Sequence, residues 1–236
     1  MAIKKLYANG DSWSFGAELG DNLPDELDYK FYNSWPMFLS QRMKIPQVIN
    51  DSLGGGSCDR MFRKTVDYIR SQDTIEDTMF VLGWTSEERF EWPSKIKHTF
   101  HDGFDNDYYE DITYISMLFS NELSYGPHAD SQHIDTVSRL NGLKNKWYRV
   151  RDYEGDLIKV KDYVYTLDEL IKAKGGQIYH FWVLGTPIPK YNLFNDTLNA
   201  ITERKQWPRK QHKHPNEETQ QKIADIIYDA IQNRGK

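Results

Sequence analysis

Two largely apolar runs constrain this chain most. Residues 78–84 read TMFVLGW and residues 177–184 read QIYHFWVL, each preceded by polar or glycine-rich turn residues. A strand that is apolar at nearly every position, rather than at alternate ones, must be covered on both faces. That is the situation of a parallel strand between two helical layers. Shorter strands are predicted at residues 3–9 (IKKLYAN) and 46–50 (PQVIN). Helical spacing of apolar residues appears at Trp35, Phe38, Leu39 and Met43, with Pro36 tolerated in the first turn. It recurs at Met61, Thr65, Tyr68 and Ile69, and again at Ile223, Ile226, Ile227, Ala230 and Ile231, in a last helix starting near Pro215-Asn216. Strands alternating with helices predict an open α/β sheet with helices on both faces.

With 236 residues and no Ser/Gly linker, the sequence reads as a single domain, residues 1–236. The stretch from 86 to 176 is too long for one crossover. Its first part, about 86–130, is polar, aromatic and weakly periodic, and is expected to be an inserted cap. The part from 130 to 152 is helical in composition. Lys and Arg number 30 against 35 Asp and Glu, a net charge of -5. Such a balance disfavours broad electrostatic capture of nucleic acid, which calls for a basic surplus. The single cysteine, Cys58, excludes a disulfide framework within the chain. Behind Lys4-Lys5 there is no apolar segment of about 7–15 residues, and no run approaches the ~20 apolar residues of a membrane helix. A cytoplasmic, non-membrane protein is expected. His98, His101, Asp102, Asp105 and Asp107 cluster in the cap segment, but nothing completes a metal-ligand set at recognisable spacing, so a solvated loop is expected and no metal.

Three short motifs carry chemistry. Gly10-Asp11-Ser12 follows the first strand directly, and ligands of such sheets bind outside the carboxyl ends of the strands. The bland reading is a helix N-cap at Asp11 or Ser12. Asn50-Asp51-Ser52-Leu53-Gly54-Gly55-Gly56-Ser57 follows the second strand. Glycines there can turn backbone N–H groups toward an oxyanion, or simply make a tight turn. The loop lacks the Lys-Ser/Thr of a phosphate-binding loop. His214-Pro215-Asn216 precedes the last helix, where a histidine is well held for proton transfer.

Taken in order, these motifs resemble the SGNH (GDSL-like) hydrolase superfamily. The resemblance implies a three-layer α/β/α sandwich with a flavodoxin-like parallel sheet. It implies Ser12 as nucleophile and His214 as general base, with the Ser12 and Gly55 backbone N–H groups as oxyanion donors. Gly83-Trp84-Thr85-Ser86 stands where the family has Gly-x-Asn-Asp, so Thr85 takes the place of a donating asparagine. The family's acid falls three residues before the histidine, and here that residue is Gln211, which cannot stabilise imidazolium as a carboxylate does. His212, Asp11 and carboxylates of the 86–130 segment are the candidates to replace it. Asp11, Trp84 and Arg89 are candidates for substrate contact, with a surface salt bridge the alternative for Arg89 and Glu91. The run from Gly83 through Arg89-Phe90-Glu91-Trp92 resembles bacteriophage-encoded members of the superfamily. The implied activity is cofactor-free deacylation of a carbohydrate or other polar ester, acetyl being the leading acyl group. Cap aromatics such as Phe90, Trp92, Phe100, Tyr108 and Tyr114 would suit a sugar. The competing expectation is a non-catalytic binding or structural protein on the same scaffold, such as a phage particle component.

Overall fold

The computed structural model describes residues 2–21, 23–94, 107–109, 112–118, 152–210 and 213–234. Four strands form a parallel sheet: β1 (Lys5–Gly10), β2 (Gln47–Asn50), β3 (Thr78–Trp84) and, later in the chain, β7 (Gln177–Trp182). Their spatial order is β2-β1-β3-β7, with Ala8 opposite both Asn50 and Val81, and Leu82 opposite His180. Every residue of β3 is buried, as its largely apolar run requires.

The alternation of side chains along each strand builds two cores. Leu6, Ala8, Met79, Val81 and Phe181 face one way. There they meet Trp35 and Leu39 of α3 (Trp35–Met43) and Ile223, Ala224, Ile227 and Ile231 of the C-terminal helix, α7 (Glu217–Arg234). Tyr7, Phe80, Leu82, Trp84 and Trp182 face the other way. They pack on Cys58, Met61 and Ile69 of α4 (Cys58–Ser71) and on Val160, Val164, Leu167 and Ile171 of α5 (Tyr153–Ala173). The protein is therefore a three-layer α/β/α sandwich with a flavodoxin-like strand order, as expected.

Helix α5 was not among the elements read from the sequence, although Val160, Val164, Leu167 and Ile171 recur at helical spacing. Residues 130–151, expected to be helical, lie outside the described residues. Three strands in the 86–130 stretch form a separate antiparallel sheet. These are β4 (Arg89–Ser94), β5 (Asp107–Tyr109) and β6 (Ile112–Leu118), in the order β4-β6-β5. The cap aromatics' side chains, and His98 through Asp105, are outside what the structure describes. Two short helices complete the main body on the α3/α7 side, α2 (Glu26–Asn33) and α6 (Leu198–Arg204). Among the described residues no helix is long and apolar enough to cross a membrane.

Gly10 closes β1 under a close approach. A Cβ there would lie 2.3 Å from Ser14 Oγ and 3.0 Å from the Gly83 carbonyl. Its absence lets a one-turn helix, α1 (Ser12–Phe15), fold back over the strand end. Asp11 caps that turn, its Oδ1 accepting from the Trp13 N–H at 3.0 Å.

Candidate active site

The site lies at the carboxyl ends of β1, β2 and β3. Ser12 is the first residue of α1, a position whose N–H has no acceptor within its own helix. Its neighbours are held from below. Ser14 Oγ accepts from Trp35 Nε1 at 3.2 Å, and the Ser14 carbonyl accepts from Asn50 Nδ2 at 3.0 Å. From α7, buried Gln220 donates to the Trp13 carbonyl and accepts from the Trp35 N–H, both at 3.0 Å. The nucleophile turn is thereby tied to α3, α7 and the loop after β2.

His214 enters from the turn before α7. The Lys210 N–H donates to the His214 carbonyl at 2.8 Å, and Asn216 Oδ1 caps the helix by accepting from the Thr219 N–H at 2.9 Å. The imidazole is thus carried at the entry to a formed helix start. Its Nε2 is 3.0 Å from Ser12 Oγ. Its Nδ1 is 2.8 Å from Glu18 Oε2. A carboxylate only accepts, so Nδ1 carries the proton and Nε2 is left as acceptor for the serine hydroxyl. Serine, histidine and glutamate form one hydrogen-bonded chain.

Glu18 was missed in the sequence. It replaces Gln211 and the other candidates on Nδ1, and it comes from the turn six residues after Ser12. There Gly16, Glu18 and Gly20 all have positive φ, 83°, 65° and 64°. For a non-glycine residue such a conformation stores strain, a common property of functional sites. The two glycines and the buried Leu19 that follows Glu18 are the local signal; no family motif marks it. Gln211 and His212 lie outside the described residues. Asp11, also considered for Nδ1, points elsewhere.

Four expectations are corrected. The Asp11 carboxylate is wholly buried and therefore does not face a substrate. Its Oδ2 accepts from Thr85 Oγ1 at 3.0 Å and lies 3.3 Å from Arg89 Nη1. Because a carboxylate cannot donate, the one hydroxyl proton of Thr85 is committed to Asp11 and is not available to an oxyanion. Thr85 is itself fully buried, and its carbonyl accepts from the Cys58 thiol, whose pKa burial pushes up. Trp84 is fully buried in the core, donating from Nε1 to His180 Nδ1 at 3.0 Å, so it contacts no substrate. Arg89 makes its ion pair inward with Asp11 rather than on the surface. Gly55 sits in the loop after β2 with φ 74°.

Beside Arg89, a recess of about 500 Å³ opens at the ends of β3 and β7, lined by Ser86, Glu87, Glu88, Tyr153 and Thr186. Burial alone would raise the Glu87 carboxyl. Hydrogen bonds from Tyr153 and Thr186 outweigh it and hold the group below the usual carboxylate range.

The fold and this chain of groups define an α/β/α sandwich carrying a Ser–His–Glu arrangement at the carboxyl edge of its sheet. The chain belongs to a family of unknown function, DUF6071, whose model matches residues 17–187. Glu18, Gly55, Thr85 and Arg89 fall inside that match, while Ser12 and His214 flank it. No curated protein matches the sequence. Among solved structures, the chain is similar to a member of the lipolytic protein G-D-S-L family from Veillonella parvula DSM 2008. Identity is 11%, with 97% of this chain and 96% of that one covered, at a TM-score of 0.35. It is also similar to a carbohydrate esterase described as having an active site with divergent catalytic and non-catalytic binding functions. That likeness is 10% identical over 99% of this chain and 66% of the other, at a TM-score of 0.38.

Proposed function

We propose that this protein is a serine ester hydrolase acting on an acyl ester, acetyl foremost, of a carbohydrate or another polar alcohol. The observation that carries the reading is the continuous Ser12–His214–Glu18 chain at 3.0 and 2.8 Å. Ser12 Oγ attacks the ester carbonyl carbon while His214 Nε2 takes its proton. Glu18, on Nδ1–H, keeps the ring oriented and stabilises the imidazolium that forms. The Ser12 and Gly55 N–H groups receive the oxyanion. Collapse of the tetrahedral intermediate expels the alcohol, which leaves with the proton from His214. Water, deprotonated by the same imidazole, then releases the carboxylic acid and regenerates Ser12.

A fluorophosphonate tests the reading. It should label Ser12 in the native chain and leave both Ser12→Ala and His214→Ala unlabelled. Acetate should be released from acetylated glycans by the native chain alone. A folded native chain that takes no label would defeat the proposal.

A further inference from the structure

Asp11, immediately before the nucleophile, is a fully buried carboxylate. Its two oxygens meet three groups: the Trp13 N–H, the Thr85 hydroxyl and the Arg89 guanidinium. The only positive charge among them is Arg89, whose side chain is 11% exposed. A buried carboxylate without a paired cation is strongly disfavoured, so Asp11 keeps its place only while Arg89 keeps its own. The same Nη1 also reaches the Gly56 carbonyl at 3.5 Å, one residue beyond the Gly55 donor. One guanidinium therefore touches the nucleophile turn and the glycine loop together. Arg89 is also the first residue of β4, where the antiparallel sheet begins.

We propose that Arg89 is a positioning residue: through Asp11 and the Gly56 carbonyl it sets the Ser12 turn against the Gly55 loop. It thereby couples the seating of the antiparallel sheet to the reactivity of Ser12. This rests on the hydrolase reading above. Arg89 acts on the acyl-transfer step without touching the ester. Lysine can keep the charge on Asp11 but lacks the rigid planar guanidinium that holds one Nη1 against both partners.

The test uses the full chain with Arg89→Met and Arg89→Lys, a small alkyl fluorophosphonate, and a neutral aryl acetate. Neither probe offers an anionic group for an arginine to bind. Arg89→Met should slow labelling and lower kcat by about 10–100-fold, the scale of a misplacement near 1 Å, with KM little changed. Arg89→Lys should recover part of the loss. In Arg89→Met the amides of Trp13 and of residues 53–57 should exchange hydrogen faster than in the native chain. If Arg89→Met folds poorly, adding Asp11→Asn removes the unpaired charge and should restore folding but not rate. Native labelling with unchanged rates in Arg89→Met would overturn the positioning role. So would a rise in KM at constant kcat, which marks a substrate contact instead. A native chain that takes no label defeats the hydrolase reading; unchanged amide exchange in Arg89→Met then defeats the coupling as well.

Discussion

Two carboxylates near Ser12 have opposite fates, and their surroundings decide which one serves the histidine. Asp11 is adjacent in sequence but is fully engaged by a helix cap, a hydroxyl and a guanidinium. Glu18 is farther along the chain, yet the left-handed turn brings it to His214 Nδ1 at 2.8 Å. Glu18→Gln keeps size and hydrogen bonding but removes the charge that steadies imidazolium. Turnover should fall by about 10²–10⁴-fold with KM little altered, measured by steady-state release of an aryl acetate. Thr85→Val keeps shape and removes the donor to Asp11. It should lower stability by about 1–2 kcal/mol, read by denaturant unfolding. A loss of turnover as deep as that of Glu18→Gln, with stability unchanged, would return Thr85 to the oxyanion.

Between elements, the decisive contact is the approach of α1 to the ends of β1 and β3. Gly10→Ala places a methyl group 2.3 Å from Ser14 Oγ, which is itself held by Trp35 Nε1. Either the turn shifts or the hydrogen bond breaks. Stability should fall by about 1–3 kcal/mol, the usual cost of overpacking, and fluorophosphonate labelling should slow with it. A variant of native stability and native labelling rate would show that the turn adapts freely. Helix α7 acts on the same turn from the other side, because it carries Gln220 and begins three residues after His214. One helix thus sets both partners of the Ser12–His214 pair. This explains why the two ends of the sequence meet so closely.

Across the whole molecule, the sheet buries a second histidine that the site does not use. His180 of β7 accepts from Trp84 on Nδ1, and among the described residues its Nε2 has no hydrogen-bond partner. Asp168 lies 3.8 Å from that nitrogen but is bonded to Lys172 at 2.7 Å. Burial, helped by Lys172 and Arg234, pushes the imidazole down to about 3. The unfolded chain, near 6.5, therefore binds the proton first. Stability should be full above about pH 6.5 and fall below it, by up to ~1.4 kcal/mol per pH unit, until the folded ring titrates. Unfolding between pH 6.5 and 5 should show this slope in the native chain and lose it in His180→Gln. Equal slopes would refute it. How much of this was legible beforehand depends on the range of the cause. Apolar periodicity is local, and it located the four parallel strands, α3, α4 and α7, because a buried strand or helix face writes its burial into consecutive residues. Gly10-Asp11-Ser12 and His214-Pro215-Asn216 were legible for the same reason, each being a short motif at an element end. Trp84 and Thr85 were misread because a residue at a strand end can face either the crevice or the core, and only packing against α4 and α5 chooses. The partner of His214 was hidden for a further reason. A hydrogen bond near 3 Å depends on a tertiary distance, which here rests on a strained turn that no periodicity records.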